Sequence, residues 1–347
     1  MFDYTISRVF PRNKAAMAQV DRLLLQEGIT RDGNLDYTCA IYDQSGSIIA
    51  TGSCFGQTLR CLAVSREHQG EGLMNKLVSH LTEIQYSRGN THLFVYTKVS
   101  AAPLFGDLGF QEIARVEDKL VFLENRHTGF SDTLARFAAH KKPGRSAALV
   151  MNANPFTLGH QYLAEQAAKE CDTLHLFVLS EDQSLFPFRV RRELVRRGVA
   201  HIPNVVVHDS GPYIISSATF PSYFLKDEAT VSETHAKLDL AVFGKIAEAL
   251  NITTRFVGEE PLSQVTARYN RIMTQSLPEK GIDCRILPRK EWADKPISAS
   301  LVRKSIQTGD WATVEAMVPA TTLEWLRSPE AAEVIEAIRK SANVIHH

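Results

Sequence analysis

Charge of neither sign predominates in this sequence. The 39 lysines and arginines are matched by 39 aspartates and glutamates, so no net field draws the chain to nucleic acid or an anionic membrane, and any bound anion must be held locally. No apolar run is long enough to span a bilayer, and the opening MFDYTISRVFPRNK lacks the apolar core of an export signal. Cysteine is sparse: Cys39, Cys54, Cys61, Cys171 and Cys284 contain no CxxC pair and are odd in number. That argues against a disulfide framework or a zinc site and fits a reducing, cytoplasmic setting. Short repeats and low-complexity tracts are missing too. What is present is ordinary globular material, 347 residues with 44% hydrophobic side chains, enough for two cores at about 150 residues per domain.

The pattern breaks at HKKPGRS, His140–Ser146, where lysine, proline and glycine interrupt periodic segments. An exposed connection is expected there, between a first domain at residues 1–140 and a second at 146–347. In the second, short β-rich runs (Ala147–Met151, Leu174–Leu179, Val205–Val207, Phe256–Val257, Ile286–Leu287) alternate with helical patterns. One such helix has Leu163, Ala164, Ala167 and Ala168 on one face, and another follows Pro187. This alternation predicts an α/β, Rossmann-like domain, a parallel sheet with helices on both faces. The first domain reads as α+β. Cys39–Tyr42 and Ser47–Thr51 flank a DQSGS turn, Cys61–Val64 and His92–Thr97 read as strands, and Leu73, Leu77, Leu81 and Ile84 keep helical spacing.

The run AALVM leads into NANPFTLGHQYL, Asn152–Leu163. In an open parallel sheet, ligands collect at the carboxyl ends of strands, where the next helix presents unpaired N–H groups and about half a positive charge. Here Gly159 removes a side chain where an anion must approach, His160 adds a donor on the first turn, and Thr157 is placed to cap the helix. The plainer reading is a capped helix with a surface histidine. About 140 residues later KPISASLVRKSI, Lys295–Ile306, repeats the logic: Ser298 can cap, and Ser300 lies three residues before Arg303 on one face. Serine hydroxyls, helix amides and a guanidinium fork all suit phosphate oxygens.

The two motifs together, TLGH and ISASLVR, resemble the (H/T)xGH and ISSTxxR motifs of the nucleotidylyltransferase superfamily. More closely, VMNANPFTLGHQYL, FVLSED, DSGPYIISSATFPSYFLK, FVGEEP and ISASLVR, in this order over most of residues 146–340, resemble the citrate lyase ligase family. The resemblance implies a ligase that uses ATP, with Mg²⁺, to activate acetate as acetyl-AMP. It then acetylates the thiol of a coenzyme-A-like prosthetic group on the citrate lyase acyl carrier subunit, releasing AMP and pyrophosphate. It implies that His160 and the amides near Gly159 hold the phosphate chain while Ser298, Ser300 and Arg303 close from the other side, with His160 and Arg303 as the catalytic pair. Asn152, Asn154 and Thr157 then shape the nucleotide cradle, and no protein metal cage is needed. VGEEP, Val257–Pro261, follows a strand and reads either as a contact to adenine or ribose through Gly258 and Glu259 or as a plain turn with two solvated acids.

The aromatics of Gly211–Lys226 either cover the core or wall off the acid, through Tyr213, Phe220 or Tyr223. Five arginines crowd Phe186–Arg197; Arg189 is a phosphate candidate and the others suit a solvated face or a docking surface for an acidic carrier. In the first domain QGEGLM, Gln69–Met74, and APLFGDLGF, Ala102–Phe110, are similar to GNAT acetyltransferases, whose Q/R-x-x-G-x-G/A amides bind coenzyme A pyrophosphate. Gln69 and Gly72 match, and Met74 departs from the last small residue. Gln69, Gly70 and Gly72 are thus the expected grip on a coenzyme-A-like arm, unless the domain only packs against its neighbour or retains an unrelated ancestral role. The same motifs also suit an adenylyltransferase with a dinucleotide-type product, or a regulatory module that binds ATP or a coenzyme A derivative without turnover.

Overall fold

The computed structural model describes residues 4–181, 183–214, 220, 221, 223, 225, 228–259, 264–293 and 295–344. By internal contacts the chain divides into two compact units, Met1–Ser131 with Phe220–Ala241, and Asp132–Thr219 with Val242–His347. A boundary at His140–Ser146 leaves Phe220–Ala241 in the second domain; its contacts are with the first unit.

The first unit contains β1 (Ile6–Arg8), α1 (Lys14–Gln26), β2 (Tyr37–Tyr42), β3 (Ile48–Phe55), β4 (Thr58–Val64), α2 (Leu73–Ser87), β5 (Phe94–Thr97), α3 (Ala102–Asp107), β6 (Gln111–Val116) and β7 (Leu120–Glu124). Its sheet runs β1-β2-β3-β4-β5-β7-β6. All neighbours are antiparallel except β4 and β5, which pair in parallel only at Thr58↔Phe94 and Leu59↔Val95. Beyond Leu59 β4 no longer pairs with β5: it bulges, with Cys61 at a left-handed φ of 51°. Helix α1 starts at Asn13, whose side chain accepts from the Ala16 N–H, and buries Ala16, Met17, Val20, Leu23 and Leu24 at helical spacing. Helix α2 buries Leu73, Leu77, Val78 and Leu81 in a separate cluster that includes Phe105 of α3.

Helix α4 (Gly129–Ala138) carries the chain onward into β8 (Ser146–Met151), α5 (Leu158–Lys169), β9 (Thr173–Val178), α6 (Phe188–Gly198), β10 (Val205–Asp209), α7 (Glu228–Leu250), β11 (Ile252–Gly258), α8 (Gln264–Ser276) and β12 (Asp283–Leu287). A short hairpin, β13 (Glu291–Trp292) and β14 (Lys295–Pro296), then leads to α9 (Ala299–Thr308), α10 (Trp311–Met317), α11 (Ala320–Leu326) and α12 (Ala332–Lys340). The sheet is five-stranded and wholly parallel, in the order β10-β9-β8-β11-β12. The expected Rossmann-like alternation is therefore present, with each sequence-read strand in place. From β8 the sheet grows outward through β9 and β10, then restarts on the other side with β11. The loops leaving β8 and β11 thus diverge over one crevice, the topological switch point where such sheets bind ligands. The central strands are buried on both faces, Ala147, Ala148, Leu149, Leu174, Leu176 and Phe177 being fully enclosed, which is why they read as continuous apolar runs. No helix among the described residues is long and apolar enough to cross a membrane.

Candidate active site

The chain leaves β8 through a strained turn. Ala153 is buried at a left-handed φ of 52°, which costs an L-residue about 1–2 kcal/mol. Thr157 then takes extended geometry and caps α5: its Oγ1 accepts from the His160 N–H at 3.3 Å. His160 occupies the position where a capping box ordinarily has Glu or Gln, and its Nδ1 accepts from the Thr157 N–H at 3.1 Å and meets Thr157 Oγ1 at 2.9 Å. With Oγ1 already accepting, its own proton turns to Nδ1. The neutral ring therefore carries its proton on Nε2. Burial, and secondarily the charge of Arg289, push the imidazole down to about 4, so it is neutral near pH 7 and offers one N–H donor. Phe156 stacks on the ring at 5.8 Å, and Gly198 makes room for Phe156: a Cβ there would sit 2.2 Å from Phe156 Cε1.

Arg191 braces the same turn. It is fully buried, and its Nε donates to the Phe186 carbonyl at 2.9 Å. Its Nη1 lies 2.8 Å from each of the Asn152 carbonyl, Asn152 Oδ1 and the Leu179 carbonyl, and Nη2 donates to the Glu181 carbonyl. Asn152 in turn donates to Ser184 Oγ, and Asn154 Oδ1 accepts from the Phe186 N–H. Both asparagines thus shape the turn through partners after β9. Arg191 escaped the sequence reading, although it shares a helical face with Leu194, Val195 and Gly198, all buried. That spacing was the available signal. Arg189 is exposed.

The second motif meets the first. Ser298 caps α9 by accepting from the Leu301 N–H at 3.2 Å, and its hydroxyl lies 3.1 Å from that of Ser300. A Cβ on Gly159 would sit 3.0 Å from the Ile297 carbonyl oxygen, so the first turn of α5 lies directly against the residue before the α9 cap. Glycine here permits that helix-to-loop contact. Arg303 is 3% exposed, donates from Nε to the Val344 carbonyl at 2.7 Å and from Nη1 to the Asn154 carbonyl. Burial pushes its guanidinium down to about 10. It holds the turn before α5 onto α9.

Gly258 ends β11 beside this cluster, and Glu259 follows it. The Glu259 N–H donates to the Leu287 carbonyl, Asn270 donates to the Gly258 carbonyl, and Arg289 Nε donates to the Glu259 carbonyl at 2.6 Å. Asn152, Asn154, Thr157, Gly159, His160, Ser298, Ser300, Arg303, Gly258 and Glu259 therefore gather at the carboxyl ends of β8 and β11. The three aromatics do not all join them. Tyr213 is buried in the second unit, whereas Phe220 packs on His235 and Tyr96, and Tyr223 donates to the Tyr96 carbonyl at 2.9 Å, all within the first unit. A cavity of about 320 Å³, lined by Arg145, Ser146 and Thr254 among others, lies at the amino ends of β8 and β11, the opposite edge of the sheet from His160.

The first unit has its own cleft, about 670 Å³, lined by Gln69, Gly70, Gly72, Met74, Tyr96 and Tyr223 among others. Gly70 and Gly72 hold left-handed φ values of 88° and 76°, open to L-residues only with strain, and Gly72 caps α2. Met74 lines the cleft while leaning on the α2 core. The Tyr223 hydroxyl sits where β4 and β5 part. It donates to the Tyr96 carbonyl of β5 and accepts from the Cys61 N–H at the β4 bulge. Tyr223 thus joins the two strands beside the cleft that it helps to line.

Together these features define a two-unit protein: a parallel α/β unit with two helix N-termini converging at its switch point, and a mixed-sheet unit with a glycine-capped helix beside a cleft. Residues 146–326 match the model of the citrate lyase ligase C-terminal domain. The chain is 39% identical over 321 residues to the citrate (pro-3S)-lyase ligase of Klebsiella pneumoniae, covering 91% of this chain and 94% of that one. It is 37% identical over 332 residues to the Escherichia coli protein of the same name, covering 93% of each. The chain belongs to the citrate lyase ligase family. In fold alone, 35% of the chain is similar to 97% of a GNAT-family acetyltransferase from Staphylococcus aureus, at 13% identity and a TM-score of 0.31.

Proposed function

We propose that this chain acetylates the prosthetic-group thiol of the citrate lyase acyl carrier subunit in two half-reactions. An acetate oxygen bonds to the α-phosphorus of ATP, and the bond from that phosphorus to the bridging oxygen breaks, its electron pair leaving with pyrophosphate. The carrier thiol then attacks the acetyl carbon, the thiol proton goes to water, and AMP leaves. Acetate is already ionised near neutral pH, so the first step needs no general base. It needs in-line placement and stabilisation of the departing charge.

The observation that carries this reading is the contact of Gly159 with Ile297, which supports the N-termini of α5 and α9 addressing one ligand. His160 Nε2–H and the amides of α5 take phosphate oxygens from one side, and Ser298 and Ser300 take them from the other. Gly258 and Glu259 serve the nucleoside. Arg303 works behind them, fixing the turn rather than meeting the phosphate. Among the described residues no cluster of three or more His, Cys, Asp or Glu side chains is placed to hold a metal, and Mg²⁺ enters with ATP, held by phosphate oxygens and water, where it supplies charge neutralisation.

The cleft of the first unit receives the coenzyme-A-like arm, with the Gly70 and Gly72 amides meeting its phosphates. Work in the cytoplasm fits the five unbridged cysteines.

The test is exchange of labelled pyrophosphate into ATP, dependent on acetate, followed by release of AMP when the thiol carrier is added. A stable dinucleotide product would favour the adenylyltransferase alternative. Tight ATP binding with no acetate-dependent exchange would leave a regulatory module.

A further inference from the structure

The site contains a cation that neither motif supplies. Arg289 follows β12 by two residues, and three features place it beside the crevice. Its Nε is held by the Glu259 carbonyl at the end of β11. The carbonyl of the next residue, Lys290, accepts from the Ile297 N–H, which ties this segment to the entrance of α9. Ile297 is also the residue against which Gly159 rests. Arg289 thus sits where the end of β11, the first turn of α5 and the approach to α9 meet. It is half-buried, whereas Arg303, the arginine of the second motif, is enclosed and bonded to the Asn154 and Val344 carbonyls.

We infer that Arg289 is the residue whose guanidinium contacts the pyrophosphate end of ATP, taking the phosphate-binding duty that the sequence motif assigns to Arg303. This assignment rests on the adenylate-forming reading above. When the bond from the α-phosphorus to the bridging oxygen breaks, one negative charge collects on the departing pyrophosphate. A fixed guanidinium beside it stabilises that charge without moving a proton, since arginine stays protonated throughout. The Arg289 charge adds, after burial, to what opposes protonation of the His160 imidazole. A neutral histidine donor and a permanent cation then face the same oxygens.

The variants are Arg289→Gln and Arg289→Lys in the full chain. Inorganic pyrophosphate is titrated while the His160 ring signals are followed by NMR, and the KM for pyrophosphate is measured in the exchange assay. Loss of one charge-assisted contact of roughly 1.5–3 kcal/mol corresponds to about 10- to 100-fold weaker pyrophosphate binding in the Gln variant. Lys, which keeps the charge and loses the Nε bond to Glu259, should recover most of it. The His160 midpoint should rise in the Gln variant. Equal pyrophosphate binding in wild type and the Gln variant overturns the assignment. So does a Lys variant as impaired as Gln, because the arginine would then act only by holding the Glu259 carbonyl. Should wild type bind pyrophosphate through Arg289 yet show no acetate-dependent exchange, the proposed reaction fails while the site assignment stands.

Discussion

Replacing Thr157 by Val tests whether the α5 cap and the orientation of His160 are one device. Val keeps the branched shape of a side chain that is 1% exposed, so packing is preserved and only the hydroxyl is lost. Two interactions go with it: acceptance from the His160 N–H at 3.3 Å and the contact with His160 Nδ1 at 2.9 Å. An N-cap contributes about 0.5–2 kcal/mol, so a urea titration should show a loss of about 1–2 kcal/mol. The Thr157 N–H still reaches Nδ1 at 3.1 Å, so the ring is loosened rather than released. If the cap also fixes which nitrogen carries the proton, pyrophosphate exchange should fall about tenfold, the equivalent of 1.4 kcal/mol. Thr157→Ser restores the hydroxyl and should restore both readouts. A Val variant that loses stability but exchanges at the wild-type rate refutes the link between cap and donor. A Ser variant as impaired as Val would show that the methyl group, not the hydroxyl, matters.

Gly198→Ala drives a Cβ into Phe156, the ring beneath His160. Overpacking of this kind costs about 1–3 kcal/mol, and both the thermal midpoint and exchange should drop, whereas an unchanged midpoint would mean the site yields freely. Arg303→Met strips donors from two buried carbonyls and should lower the urea-derived stability by about 2–4 kcal/mol; wild-type stability would argue that the guanidinium is not a brace. Acid should destabilise the second unit through His175 and His208, hydrogen-bonded at 2.9 Å on β9 and β10 and flanked by His140 and Lys142. Burial first, then these neighbouring charges, push them down to about 4 and about 3, from 6.5. Between these values the unfolded chain binds more protons, so stability is full above about pH 6.5 and falls as pH drops towards 4. His208→Gln should flatten that slope by up to about 1.4 kcal/mol per pH unit, read from urea midpoints at several pH values; an unaltered slope would place the protons elsewhere.

Elements fixed by local physics were legible in the sequence. Strands β8 and β9 stood out because strands buried on both faces must be apolar throughout, the less buried β10, β11 and β12 because short β-rich runs alternate with helical patterns, and α2 and α5 because one buried face imposes a 3.6-residue period. The caps at Thr157 and Ser298 were readable because a hydroxyl before a helix has a local partner three residues on. Arg191 showed its helical register but not its task, since its acceptors lie on four separate residues of two loops.

By itself, then, the sequence determined the kinds of element, the two anion-suited helix tips and the family to which they belong, because each depends on neighbours a few positions away. Only the tertiary structure decided that Arg303 turns inward to the Asn154 carbonyl 149 residues away while Arg289 bonds the Glu259 carbonyl just past β11, and that Tyr223 belongs to the first unit. A side chain's spacing says which face of its element it occupies. What that face meets is set by burial: a polar group that loses water must take whatever partner the packed chain brings within hydrogen-bond reach.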